Sequence, residues 1–124
     1  MLYAILCYNS EQTVMSWTQE QDDAVMARLG AVHERVQGAG KLGPSVRLHS
    51  TAQAVTLRKH KEPHTVTDGP FAETKEQILG FYVMDVENQE EALQIARELG
   101  QANPGGSYEL RPISLYLPGA LANP

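Results

Sequence analysis

Two segments of this chain, residues 2–8 and 78–86, are apolar on both sides, and this feature limits the fold more than any other. Successive side chains of a strand point to opposite faces, so a strand with one exposed face alternates apolar and polar residues. In these segments apolar side chains occupy both sets of positions. Both are therefore predicted to be central strands that are buried on two faces.

An amphipathic helix is predicted after each of these strands. Thr18 is the predicted N-cap of the first helix and Asn88 that of the second, each followed three residues later by Gln or Glu. Glycines end both helices, with Gly38 and Gly40 closing the first and Gly100 closing the second. The apolar stripes follow helical spacing and comprise Val25, Leu29, Val32 and Val36, then Ala92, Ile95, Ala96 and Leu99.

The remaining segments complete the order strand, helix, hairpin, strand, helix, strand. The hairpin is predicted from strands at 55–58 and 64–67, and the last strand at 108–117, while Val46 and Leu48 suggest a short edge strand. This order predicts an α+β fold of the ferredoxin-like βαββαβ type, with two helices on one face of an antiparallel sheet. The expected edges are 55–58 and 108–117, which carry the charges and a proline.

Helices on one face leave the other face of the sheet open. Tyr3, Ile5 and Cys7, or else the residues that alternate with them, would lie on this open face. The resulting patch would exceed the few hundred Å² that soluble monomers usually expose. A second copy packed sheet to sheet is the simplest cover, so a homodimer is predicted.

Length and composition indicate one cytoplasmic domain. Of the 124 residues, 1–117 are predicted to form the domain and 118–124 a loose tail. The net charge of −5 lacks the clustered basic face that nucleic-acid binding needs. A single cysteine allows no internal disulfide, which fits a cytoplasmic location. The apolar N-terminal run has no basic leader and is too short to cross a membrane, so no membrane partner is expected.

Residues 66–82 carry the most specific motif of the chain. The stretch reads V-T-D-G-P-F-A-E-T-K-E-Q-I-L-G-F-Y and resembles the signature of the DGPF subgroup of the YCII-related proteins, from which only Ile78 and Leu79 differ. The resemblance extends over essentially the whole chain. Its further landmarks are residues 40–42, 48, 54–58 and 107–112.

The resemblance implies a bacterial, homodimeric α+β barrel with a cleft of small-molecule size beside each sheet. It implies no settled activity, although members are often encoded beside extracytoplasmic-function sigma factors. A His–Asp pair has been suggested to act in acid–base chemistry in the wider group, and only the aspartate carries over, to Asp68. The helical position where relatives often have His or Tyr is Leu29, and His33 lies one turn later.

Asp68 is the first candidate functional residue. An aspartate at the end of a strand near a cleft can act as a general base or anchor a ligand. Alternatively, its carboxylate accepts backbone N–H groups and holds the Gly69-Pro70 corner as an Asx-turn. The two interpretations are compatible.

Five further residues are candidate ligand contacts. Phe71 could pack over a ligand, and Thr74 and Lys75 could bind an anion unless they belong to a solvated surface. Arg58 and Arg111 would suit a carboxylate or phosphate if they faced a cleft, and otherwise bridge to acids across strands.

No metal or cofactor is expected. The four histidines lack metal-ligand spacing, and no phosphate-binding or dinucleotide-binding motif is present. Cys7 lies in an apolar run and is predicted to be a buried, inert thiol. His33 is predicted to be half-buried at the margin of the first helix and to have no chemical role.

Three functions stay open at this point: an enzyme that uses acid–base chemistry around Asp68 on a small molecule, a non-catalytic ligand-binding or sensing protein linked to sigma-factor regulation, and a protein-interaction partner. Fold alone does not choose between them.

Overall fold

The computed structural model describes residues 1–121 as one antiparallel sheet, three helices and a separate two-stranded ribbon. The predicted tail at 118–124 lies partly outside the described residues. The elements are β1 (Leu2–Asn9), α1 (Glu11–Met15), α2 (Gln19–Gly38), β2 (Leu42–Arg47), a 3-10 turn (Thr51–Gln53), β3 (Val55–Arg58), β4 (Thr65–Asp68), β5 (Gln77–Asp85), α3 (Gln89–Ala102) and β6 (Ser107–Pro112).

The sheet has the strand order β2-β5-β1-β6, and all of its neighbouring strands are antiparallel. The predicted ferredoxin-like α+β class is therefore confirmed. The central strands are β1 and β5, the two segments whose sequences are apolar on both sides. One face of each central strand packs against the helices, and the apolar residues of the other face belong to the open side of the sheet, for which a covering partner is predicted.

The edge strand beside β5 is β2, and the prediction that residues 55–58 form this edge is wrong. β3 pairs only with β4, in a two-stranded ribbon apart from the sheet. The sequence favoured the ribbon because β3 and β4 are rich in Val, Thr and Leu, whereas β2 contains Gly43 and Pro44, which weaken a strand signal.

Both predicted N-caps are confirmed. Thr18 and Gln21 form a reciprocal capping box, and the Asn88 side chain accepts a hydrogen bond from the Glu91 backbone N–H at 3.0 Å. The prediction that Gly100 ends the second helix is wrong, since α3 continues to Ala102. Helical hydrogen bonds and the buried face of α3 outweigh the roughly 1 kcal/mol helix penalty of one glycine.

Two further boundaries differ from the predictions. The short helix α1 lies between β1 and α2, where no helix was predicted, and the Ser10 hydroxyl accepts a hydrogen bond from the Thr13 backbone N–H. The last strand ends at Pro112 rather than at 117, because its partner β1 begins at Leu2, whose carbonyl accepts a final hydrogen bond from the Ile113 N–H at 2.9 Å. Within residues 1–121, no helix is long and apolar enough to cross a membrane.

The main core lies between the sheet and helices α2 and α3. Tyr3 and Ile5 of β1 pack in it, and Cys7 packs at its border. The alternating residues Ala4 and Leu6 therefore lie on the open face of the sheet. Helix α2 contributes Val25, Leu29 and Val36 to this core, and α3 contributes Ala92, Ile95, Ala96, Leu99 and Ala102.

Candidate functional site

A cleft of about 300 Å³ lies between helix α2 and the helix-facing side of the sheet. Strands β1, β5 and β2 form its floor, while α2, α1 and Trp17 form its walls. Most of the lining is apolar, as small-molecule sites commonly are. The lining residues are Cys7, Tyr8, Asn9, Val14, Trp17, Asp22, Val25, Met26, Leu29, His33, Ser45, Val46, Arg47, Leu79, Gly80, Tyr82, Asn103, Gly105 and Tyr108.

His33 and Tyr82 form a hydrogen-bonded pair in this cleft. The His33 Nε2 atom and the Tyr82 hydroxyl oxygen are 2.8 Å apart, and the rings meet edge to face with centroids 5.2 Å apart. His33 projects from α2, one turn after Leu29, and Tyr82 projects from β5 opposite Ile5. A neutral imidazole can accept the phenolic proton or donate its own, so the pair can carry a proton in either direction.

Burial keeps the ionisable groups of the inner wall neutral. Desolvation lowers the pKa of His33 below its ordinary value and raises that of Tyr82 well above its own. Burial likewise raises the pKa of the Cys7 thiol to about 11 and that of Tyr108 to about 12. At neutral pH this wall presents uncharged donors and acceptors, and the Cys7 thiol is not a nucleophile.

The formal charges that line the cleft belong, among the described residues, to Asp22 and Arg47. Arg47 Nη2 donates to Asp22 Oδ1 at 3.4 Å, and Nη1 lies 3.7 Å from the Met26 sulfur. Both are long contacts, so the guanidinium is only loosely held. A single opposed charge pair therefore stands in an otherwise uncharged cleft.

The α1 wall is tied to the base of the ribbon. Both carboxylate oxygens of Glu11 accept hydrogen bonds from Thr51, one from its backbone N–H at 2.8 Å and one from its hydroxyl. Val14 and Trp17 then line the cleft. Trp17 also packs against the core, which places the only tryptophan of the chain beside the candidate site.

The structure places Asp68 at the exposed end of β4, outside the cleft. The corner after it is held by other groups: the Gly69 N–H donates to the Ala54 carbonyl at 2.8 Å, and the Thr56 hydroxyl donates to the Gly69 carbonyl at 2.9 Å. These two hydrogen bonds hold the corner, a role that the sequence suggested for the Asp68 carboxylate. A chemical role for Asp68 stays a prediction.

The other predicted site residues also lie away from the cleft lining. Arg58 and Phe71 contact each other, with the guanidinium carbon 5.5 Å from the ring centroid, although Phe71 is 77% exposed. Thr74 donates to the Glu76 carbonyl at 2.6 Å, and Lys75 is exposed. Arg111 lies opposite Ala4 on the open face of the sheet. Their ligand contacts remain predictions.

The sequence predicted a half-buried His33 beside the apolar stripe of α2, and the structure confirms that position. It did not predict the partner of His33. The sequence offered one indication of this partner: His33 lies beside the apolar stripe of a helix and Tyr82 on a two-sided apolar strand. The polar ends of such side chains usually form hydrogen bonds when they are buried. Within residues 1–121, no group of three or more His, Cys, Asp or Glu side chains could hold a metal ion.

The strand order and the cleft under α2 define a ferredoxin-like α+β protein with a cavity of small-molecule size. The YCII-related domain model matches residues 1–116 of the chain. An uncharacterized protein of Rhizobium meliloti (strain 1021) is 54% identical over 122 residues, which cover 98% of each chain. The chain belongs to the YCII-related family.

Proposed function

We propose that this protein binds a small organic molecule in the cleft under α2 and moves protons on it through the His33–Tyr82 pair. The observation that supports this most directly is the 2.8 Å contact between His33 Nε2 and the Tyr82 hydroxyl inside a largely apolar cleft. A positioned acid–base group in such a setting is the usual basis of general acid–base catalysis.

The neutral imidazole is the base of this scheme. Because burial lowers the pKa of His33, the ring is unprotonated at neutral pH and can accept a proton. A ligand hydroxyl or enol bound to the Tyr82 oxygen gives its proton to Tyr82 while Tyr82 passes its own to His33. The reverse transfer returns the proton to a ligand oxygen or carbon, so enolisation and tautomerisation are the matching reaction class.

Asp68 can act as a second acid–base group only in a homodimer. Within one protomer Asp68 lies on the ribbon outside the cleft, so the Asp68 side chain that could approach this cleft is the one on the partner protomer. The exposed apolar side of the ribbon supports a covering partner, since Val55, Leu57 and Val66 are 68%, 57% and 66% exposed. A two-stranded ribbon is marginally stable when it packs on nothing.

The second candidate function is ligand binding without chemistry, as in a sensing protein linked to sigma-factor regulation. The position of Asp68 favours it, because the carboxylate that the family resemblance offers as a catalytic group does not reach the cleft of its own protomer. The neutral, apolar lining suits binding of an uncharged ligand body with or without turnover.

Hydrogen–deuterium exchange on carbon separates the two functions without a known substrate. Aryl methyl ketones and cyclic 1,3-diketones are incubated with the protein in D₂O, and loss of their α-protons is followed by proton NMR. We expect the protein to accelerate exchange of at least one bound compound, and His33→Gln and Tyr82→Phe to remove most of that acceleration. His60→Gln, at an exposed position in the β3–β4 turn, is the matched control.

Binding of a compound without accelerated exchange would support the sensing function instead. Acceleration that persists in both variants would show that the His33–Tyr82 pair is not the proton carrier.

A further inference from the structure

The cleft contains one charged group that could hold an anionic ligand, Arg47, and its position relative to Tyr82 is set by the backbone. In the register of β2 with β5, Ser45 lies opposite Tyr82 and Arg47 lies opposite Gly80. Two residues along a strand correspond to about 7 Å. The contacts of Arg47 with Asp22 and Met26 show that its side chain turns toward α2 and the cleft.

A close approach of two strands fixes the backbone at Arg47. A Cβ atom on Gly80 would stand 2.1 Å from the Val46 carbonyl oxygen, so β2 can pass this near only because residue 80 is a glycine. The backbone of β2 beside Arg47 is therefore fixed against β5 within the floor of the cleft, while the Arg47 side chain itself is 61% exposed.

The Arg47 guanidinium has unused donor capacity. Arginine carries five N–H donors in a planar fork that matches a carboxylate. Only two contacts of this group are present in the described part of the chain, a 3.4 Å contact with one Asp22 oxygen and a 3.7 Å contact with a sulfur. Neither is the short, two-pronged arrangement that saturates an arginine–carboxylate pair.

We infer that the cleft accepts small carboxylates with a short apolar or aryl body, the carboxylate on Arg47 and a hydroxyl or carbonyl oxygen on Tyr82. This inference rests on the proposed function of the His33–Tyr82 pair. The apolar residues between the two ends, among them Val25, Met26 and Leu29 of α2, line the space that the ligand body would fill. A ligand carboxylate would then displace the Asp22 carboxylate from Arg47.

Two probes of equal shape test the inference: 4-hydroxybenzoate, which carries the carboxylate, and 4-hydroxybenzamide, which does not. Their binding is measured by the fluorescence of Trp17, the only tryptophan of the chain and a lining residue of the cleft. We expect the wild-type protein to bind the benzoate about tenfold more tightly than the benzamide.

Substitutions of the charge pair should move benzoate affinity in opposite directions. Arg47→Gln should weaken benzoate binding about tenfold, and Arg47→Lys should weaken it less, since the charge remains but the fork is lost. Asp22→Asn should tighten it about threefold or more, because the competing carboxylate is gone. None of these variants should change benzamide affinity by more than about twofold. Arg97→Gln and Asp23→Asn, which change charge outside the cleft lining, are the matched controls.

Equal wild-type affinity for the two probes, or weaker benzoate binding in Asp22→Asn, would overturn the inference. Benzamide binding that Tyr82→Phe weakens would still leave the proposed function in place. If neither probe binds and the aryl ketones also fail to bind, the cleft is not a ligand site and both proposals fail.

Discussion

The cleft and the ribbon differ in how clearly the sequence marks them and in how deeply their polar side chains are buried. The ribbon and the loop after it contain most of residues 66–82, the longest recognisable motif in the chain, yet the polar side chains of this part of the motif are exposed. The cleft has no contiguous motif, and its His33–Tyr82 pair joins residues 49 apart in sequence. Burial shifts protonation only where water is excluded, so the cleft is the region where ordinary side chains gain unusual chemistry.

Replacing Gly80 with alanine should have the largest effect on this comparison, because it damages the cleft floor and leaves the ribbon untouched. The new Cβ would meet the Val46 carbonyl oxygen at 2.1 Å, and backbone atoms cannot move aside cheaply. We expect a loss of about 3 kcal/mol or more in the free energy of unfolding, measured by urea denaturation.

Gly30→Ala is the matched control for Gly80→Ala. A Cβ on Gly30, in the middle of α2, would meet nothing within 4 Å, so alanine should stabilise the helix by up to about 1 kcal/mol. Equal effects of the two substitutions would contradict the close approach of β2 to β5.

Removing one leucine from each region tests the difference in packing. Leu29, which lines the cleft and is 7% exposed, should cost about 2–4 kcal/mol of unfolding free energy when changed to alanine. Leu57, on the ribbon and 57% exposed, should cost less than about 0.5 kcal/mol within a protomer.

Native mass spectrometry of the same two variants tests the predicted homodimer. We expect a dimer for the wild-type protein and a larger monomer fraction for Leu57→Ala, because the partner proposed above covers the ribbon. A dimer that Leu57→Ala leaves unchanged would assign the interface to the open face of the sheet instead. A wild-type protein that is monomeric at micromolar concentration would contradict the homodimer, and with it any role for Asp68 at a partner's cleft.

The pH dependence of stability should give the smallest effect, and it arises in the cleft. The folded pKa of His33 lies below the ordinary value of 6.5, so below that pH the unfolded chain binds a proton that the folded chain refuses. Stability then rises with pH wherever the unfolded state binds more protons. The contribution of His33 should therefore lower stability as pH falls below about 6.5 and vanish above it.

Thermal unfolding at pH 5 and pH 7.5 measures this contribution against His33→Gln, which should lose less stability on acidification than the wild-type protein. An NMR titration of the His33 ring checks the cause directly. A folded pKa at or above 6.5 would show that burial does not control this histidine.

Local patterns predicted the two long helices and the central strands of this protein, but not the short helix α1. The Thr18 and Asn88 caps and the stripes of α2 and α3 depend on neighbours within a few residues, so the sequence contains the whole signal. The short edge strand indicated by Val46 is present as part of β2, but residues 55–58 were wrongly predicted as an edge because strand propensity does not report which strands pair. β2, with its glycine and proline, is held by its contact with β5 and not by its own preference.

The sequence by itself determined the α+β class, the two long helices and the central place of β1 and β5, because two-sided apolar strands must be buried. Only the tertiary structure decided which residues meet in the cleft. His33 reaches Tyr82 because α2 packs across β5 at one particular rotation and height, and Arg47 faces them because β2 pairs with β5 in one register. Such distances depend on the packing of the whole core, which no short stretch of sequence encodes.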